Sequence, residues 1–308
     1  MKPFIGILNI FFLVVGVAIR RDYDISIPGG LIEVENRILL EESFPVEGQI
    51  STVFIYSLEE HTLLTRFIAE GAVGVDISPR PVSVINIPAS ELNERGRIQY
   101  EASITASIIQ AFEAANVDIT YEFKGLRVIF RGESVPVPIG TLITTLDNEP
   151  VTSLDQFIRT IEDRDVITIN DDVVLTRNEE GFFGITIAEE YIILDTAIGY
   201  EIVDANIQGG SGGLLQTLNL YNRLTKDDIT KGYHIAGTGT ISAGGIVGPI
   251  GGAAQKVIAA ARDGVDIFFI PVFDYPEARA ELDRLDSDMQ LVMVATFSEA
   301  LAYLSEIT

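Results

Sequence analysis

GGAAQKVIAAARDGVDIFFIP, residues 251–271, decides the character of the C-terminal part of the chain. The small and apolar residues after Gly252 read as a helix over about 252–262, and Asp263-Gly264 supplies its stop signal. The run from Val265 to Pro271 is continuously apolar, which fits a strand covered on both faces. A helix leading directly into a buried strand predicts an α/β domain. Upstream, the strand-like YIILDTAIGYEIV leads through QGGSGG into LLQTLNLYNRL, whose apolar stripe at 214, 218, 221 and 224 has helical spacing. Glycine-rich loops fill 237–252, and QLVMVAT with a short helix closes the chain.

Composition narrows the function classes. The chain has 308 residues, 47% hydrophobic and 21% charged, so it is globular and has room for two or three domains. With 45 acidic against 21 basic residues the formal charge is −24. Nucleic-acid binding needs clustered Lys and Arg, so no nucleic-acid partner is expected. There is no cysteine, which removes disulfides, thiol catalysis and thiolate metal sites. His61 and His234 stand far apart without ligand spacing, and the pairs Asp171-Asp172 and Asp227-Asp228 read as solvated turns, so no metal site is expected. The chain contains no G-x-x-x-x-G-K-[ST] stretch, and GTGTISAGG (237–245) fails the dinucleotide fingerprint at Ser242. Neither ATP nor any other cofactor is expected.

The N-terminus carries FIGILNIFFLVVGVAI, residues 4–19, uncharged between Lys2 and Arg20-Arg21. As a helix it is roughly 24 Å long, slightly short of a hydrocarbon core. Gly16-Val17-Ala18 also fits a signal-peptidase site. Residues 1–21 therefore read as a signal-anchor or a cleaved signal peptide. The expected location is the cell membrane, single-pass through 4–19 with the remainder extracytoplasmic, or secreted if the segment is removed.

Residues 22–116 read as a β-rich region ending in a helix: IPGG (27–30) is a turn signal, LIEVENRI and QISTVFIYSL alternate as strands, and EASITASIIQAFEAAN (101–116) has apolar residues at 104, 108, 111, 112 and 115. Residues 117–187 form another block. LRVIF and IGTLITTLDNEPV read as strands, SLDQFIRTIED as an amphipathic helix, and DVVLTRNEEGFFGITI as a closing hairpin. Strands around one helix in about seventy residues suggest a small peptide-binding module.

Ser211 stands among four glycines at the start of a helix, where backbone N–H groups are unpaired and the dipole end is positive. That is the position of an ordinary N-cap serine, and equally of a nucleophile beside an oxyanion hole built from the backbone of Gly210 and Gly212. A nucleophilic serine needs a base, which His234 or a lysine can supply. Lys256 is unusual because its helical neighbours three and four away are Gly252, Ala253, Ala259 and Ala260. Close packing on such a face buries an amine and lowers its pKa toward a usable base.

HIAGTGTISAGGIVGPIGGAAQKVIAAARDGVDIFFIP (234–271), continuing into FDYPEA and back through Ser211, resembles the C-terminal half of a Lon-type proteolytic domain. The whole chain, with IPGG in place of an SPGP-like turn, FPVEGQISTVFI (44–55) as an early strand region, and a block 117–187 containing GTLITTLDNEPV, resembles the membrane-anchored PDZ–Lon proteases of the YlbL type. The resemblance implies a PDZ-like domain at 117–187 and an ATP-independent proteolytic domain at 188–308. It also implies a Ser211–Lys256 dyad, with Thr238 of AGTGT supporting the lysine. The sequence departs from the family where GPSAG has become GGSGG: Gly210 replaces proline and Gly212 alanine.

The expected architecture is α+β and multidomain: anchor, β-rich region, PDZ-like domain and α/β Lon-type domain. The expected function is ATP-independent serine endopeptidase activity on exposed or unfolded polypeptide outside the cytoplasm, with oligomerisation left open. The alternative is a catalytically inactive, PDZ-containing peptide-binding scaffold.

Overall fold

The computed structural model describes residues 20–21, 23–58, 61–80, 87–203 and 208–307. The hydrophobic segment 4–19 lies outside these residues, and among the described residues no helix is long and apolar enough to cross a membrane. The central element is a six-stranded sheet in the order Gln290–Val294, Ile267–Pro271, His234–Gly237, Gln49–Leu58, Tyr23–Glu33, Asp76–Pro79. The first four strands run parallel, and Tyr23–Glu33 is antiparallel to both its neighbours.

Side-chain alternation builds a core on each face of this sheet. Ile50, Ile235, Ile267, Phe269 and Val294 face the helices Gly213–Leu224 and Phe297–Glu306. Val53, Ala236, Phe268 and Ile270 face the helices Ala253–Arg262 and Tyr275–Leu282. A strand covered on both sides must be apolar throughout, and every residue of Ile267–Pro271 is buried.

The strands of the N-terminal region are therefore not a unit of their own. Gln49–Leu58 pairs with His234–Gly237, so residues 22–116 and 188–308 share one sheet, and the division at 188 cuts the strand Ile185–Thr196. IPGG is not a turn. Ile27 to Gly30 lie within Tyr23–Glu33, which carries a bulge between Pro28 and Gly30. A side chain on Gly29 would overlap the carbonyl of Phe54, so glycine lets the strands approach. LIEVENRI is likewise interrupted by the 3-10 turn Glu35–Arg37 before the strand Ile38–Leu40.

The terminal helix of the β-rich region spans Ala89–Ala114, twelve residues longer at its start than the apolar spacing of 101–116 predicts. Its N-terminal half is rich in charge, with Arg97 paired to Glu94 and Glu101, so hydrophobic periodicity does not reveal it. This long helix packs on Gly213–Leu224 and on the strands Ile119–Arg131 and Ile185–Thr196.

Residues 119–196 form two small sheets around the helix Leu154–Ile161, whose Ser153 cap accepts a hydrogen bond from Gln156 N. Leu126, Val128, Ile143, Leu146, Phe157 and Ile169 make their common core. DVVLTRNEEGFFGITI is not a hairpin: Val173–Thr176 pairs with Val166–Ile169, whereas Ile185–Thr196 pairs with Ile119–Arg131 in the other sheet. Arg177 stacks over Phe183 between them. YIILDTAIGYEIV breaks at Thr196, and Tyr200–Ile202 returns to pair with Ile38–Leu40. Asp228 is not a solvated turn residue, because it accepts from Glu47 N, Asn222 and Thr230 and ties the loop after the serine helix to the start of Gln49–Leu58.

A Cβ on Gly237 would lie 2.6 Å from the carbonyl oxygen of Phe269 and 3.0 Å from its nitrogen, both main-chain atoms in the middle of the sheet. Gly237→Ala is therefore expected to destabilise the protein by about 1–3 kcal/mol, the usual cost of overpacking, read as a lower urea midpoint at unchanged slope.

Candidate active site

Three chain segments meet at Ser211. The helix Gly213–Leu224 begins immediately after it, and the N-cap is Gly212, with no side-chain cap hydrogen bond. Ser211 therefore does not cap the helix, and its hydroxyl is free of that local role. The loop lies against the long helix, where Ser103 Oγ donates to the carbonyl of Gly210 at 3.1 Å and Ser107 Oγ to that of Gly213 at 3.1 Å. A Cβ on Gly213 would sit 2.5 Å from Ser103 Oγ and 2.7 Å from Ile241 Cγ2, so only glycine permits this approach.

The Gly210 carbonyl also accepts from Gly213 N at 3.1 Å and so points into the protein. In a trans peptide the next N–H, that of Ser211, points the opposite way. The Ser211 carbonyl is held by Gly239 N at 2.7 Å and by Thr238 Oγ1 at 3.1 Å, which turns the N–H of Gly212 away in the same manner. Among the described residues none accepts from the N–H of Gly210, Ser211 or Gly212. Unpaired donors beside a half-buried hydroxyl can receive a developing oxyanion.

Lys256 reaches this place from the opposite face of the sheet. Its helix, Ala253–Arg262, is capped by Gly252 in the left-handed conformation at φ 69°. Ala253, Ala259 and Ala260 are fully enclosed, and Lys256 is 3% exposed. Nζ donates to Thr238 Oγ1 at 2.9 Å, and that hydroxyl donates in turn to the Ser211 carbonyl. Burial pushes the ammonium down from 10.5 to about 8, against the opposing pull of the Asp274 carboxylate. A neutral amine holding Thr238 with one N–H keeps its lone pair for another proton.

Ser211, Gly210, Gly212, Thr238 and Lys256 thus form one continuous constellation. His234 is not part of it. The imidazole sits at the far end of the strand His234–Gly237, about 13 Å from Thr238 at ~3.3 Å per residue, with Nε2 3.4 Å from Ser51 Oγ. Three residues escape sequence reading: Ser103 and Ser107, which clamp the loop, and Thr52, whose Oγ1 lies 3.1 Å from where a Gly212 Cβ would be. No local signal marks them, because each is brought to the site from a distant segment.

A mostly apolar cleft of about 290 Å³ adjoins the loop, lined by Gly210, Ser103, Gln99, Ile241, Ile187 and Leu154 among others. The last two belong to the module 119–196, so the cleft runs between the module and the serine loop.

A serine on a glycine loop, unpaired N–H groups and an enclosed lysine of lowered pKa meet in a region that the comparisons with known proteins identify as a serine-type peptidase domain. Residues 205–306 match the Lon protease (S16) C-terminal proteolytic domain. The chain is 34% identical over 93 residues to the Lon protease of Roseiflexus castenholzii (strain DSM 13941 / HLO8), covering 30% of this chain and 11% of that protein. It is also 34% identical over 95 residues to Lon protease 2 of Bacillus subtilis (strain 168), covering 31% of this chain and 16% of the relative. The chain therefore carries a Lon-type proteolytic domain and spans only a small part of the length of these relatives.

The lysine makes a prediction independent of catalysis. Between pH about 8 and about 10.4 the unfolded chain keeps this proton and the folded chain does not, so folding stability rises with pH in that window. Lys256→Met fills a similar volume without a charge to desolvate. It is expected to gain roughly 2–4 kcal/mol at pH 7 and to lose the rise between pH 8 and 10, measured by denaturant unfolding at several pH values.

Proposed function

We propose that the protein is an ATP-independent serine endopeptidase using a Ser211–Lys256 dyad on exposed or unfolded polypeptide, in the manner of the membrane-anchored PDZ–Lon proteases it resembles. The observation that carries this reading is the Lys256–Thr238–Ser211 chain of hydrogen bonds beneath a loop with unpaired N–H groups.

Neutral Lys256 takes the proton of Ser211 Oγ, and the oxygen attacks the scissile carbonyl. The N–H groups of Ser211 and Gly212 hold the resulting oxyanion, the contribution that typically matters about 10²–10³ in turnover. Lysine returns its proton to the leaving amine, and water then attacks the ester, with Lys256 as base again. Thr238 is a positioning residue: its hydroxyl fixes Nζ and the Ser211 carbonyl together.

The module at 117–187 is a PDZ-like peptide-binding domain in this proposal. Two features support it. Among the described residues, the strand Ile185–Thr196 pairs only with Ile119–Arg131, so its other edge is free to take an added strand. An apolar groove of about 220 Å³ beside it is lined by Leu154, Phe157, Ile158 and Ile161 of the helix and by Phe182 and Ile185. Residues 4–19 anchor the chain, and the peptidase acts extracytoplasmically.

Incubation with unfolded casein and a serine-directed fluorophosphonate tests the peptidase. The parent protein is expected to cleave and to label, while Ser211→Ala and Lys256→Ala lose both. No labelling and no cleavage by the parent, with peptide binding retained, would instead establish the inactive scaffold. Turnover is expected to rise with pH through about 8, because only the deprotonated lysine acts as base. Thr238→Val is expected to lower kcat by about 10–100-fold and to displace that pH midpoint, since the amine loses its fixed partner.

A further inference from the structure

The apolar groove of the module and the apolar cleft beside the serine loop share two walls. Leu154, the first residue of the helix Leu154–Ile161, and Ile187, on the strand Ile185–Thr196, line both hollows. From this junction the groove continues along Phe157, Ile158 and Ile161, and the cleft continues along Ile241, Ile246 and Gly210. Gly210 is bonded to Ser211, so part of the cleft wall is the nucleophile loop itself.

One strand follows the whole path. Ile185 and Ile187 border the groove, and Ile187, Ala188, Glu189 and Tyr191 border the cleft. From residue 185 to residue 191 the strand covers roughly 20 Å at ~3.3 Å per residue, the reach of about six residues of extended polypeptide. Among the described residues this strand is paired along one edge only. Large apolar side chains stand open at both ends of the path: Ile158 is 52% and Phe182 65% exposed at the groove, and Ile246 is 64% exposed at the cleft. Such side chains gathered along one track mark a surface that another chain covers.

The chemistry of the track is apolar. The groove has one charged wall residue, Arg177, which donates to the carbonyls of Ile161, Glu162, Arg164 and Gly181 and stacks over Phe183. The cleft has one, Glu189, which accepts from the Tyr191 hydroxyl. Both charges already have partners within the protein, so the track offers burial to side chains and a strand edge to a backbone.

We infer that groove and cleft are one channel, filled by a single extended segment of the substrate whose apolar side chain, seated among Phe157, Ile158 and Phe182, fixes the distance to the bond delivered to Ser211. The inference rests on the peptidase reading above. It makes the module a ruler for the cut rather than a separate binding domain. Leu154 and Ile187, where the hollows join, and Ile158 within the groove determine specificity through binding.

The test gives the full chain a series of soluble peptides of Gly, Ser and Gln that carry two leucines at varied separation. A separation of about four to eight residues matches the track. That member is expected to be cleaved about 10–100-fold more efficiently, chiefly through KM, than peptides with one leucine or a mismatched pair. Moving the pair by one residue is expected to move the cut bond by one residue, read by mass spectrometry. Ile158→Glu, at a half-exposed position that tolerates a charge, is expected to remove the preference for spacing, and Ile158→Leu to keep it.

Efficiency that is the same at every spacing with the parent overturns the channel, a comparison that needs no variant to fold. Should the parent neither cleave nor label with fluorophosphonate, the peptidase reading fails instead, and the same peptides are measured by fluorescence anisotropy. Binding about tenfold tighter at one spacing than with a single leucine, lost in Ile158→Glu, upholds the channel. Binding that is absent or equal at every spacing overturns it.

Discussion

The strand His234–Gly237 is hydrogen-bonded in parallel on both sides, and the placement of Ser211 and Lys256 depends on that double anchorage. The ladder continues one residue further, because Thr238 N donates to the Phe269 carbonyl at 3.0 Å. Thr238 is thereby fixed in a direction set by the sheet rather than by a loop. From there its hydroxyl and the N–H of Gly239 grip the Ser211 carbonyl. A slip of one residue in register would turn Thr238 to the other face and release both the serine loop and the lysine.

The lysine helix shows how a cation is accommodated in such a core. An ammonium ion gains little from one hydroxyl when water is excluded, so the neutral amine becomes accessible near physiological pH. The alanines around it go with that burial: side chains this small let the helix pack closely, and Nζ donates to Thr238 Oγ1. Desolvating this cation costs folding stability locally.

Much of the site was legible because its parts are local. A serine among glycines and a lysine among alanines are readable from a few neighbours each, and the small-residue face around Lys256 is buried as its spacing implies. Thr238 came from resemblance alone, since nothing in AGTGT distinguishes it from a turn. The sheet was far less legible. The pairing of Gln49–Leu58 with His234–Gly237 joins segments that no periodicity connects, so the N-terminal strands looked like a separate region. Val173–Thr176 and Ile185–Thr196 looked like hairpin partners because they are successive, but they belong to different sheets. Ser103 and Ser107 carry no local signal for the same reason: the loop they hold lies more than a hundred positions away in the chain.

The long reach of that central pairing also shapes how the molecule is made. Ser51 and His234 lie side by side although 183 positions separate them in the chain. While the chain is being synthesised, Gln49–Leu58 has one long edge bare until the whole inserted module and the serine helix have emerged. Such non-local topology gives a high contact order and slow folding, and a bare edge strand invites pairing with other chains. The module between the two halves can fold around its own core in the meantime, which brings the ends of the insertion together and shortens the effective loop to be closed.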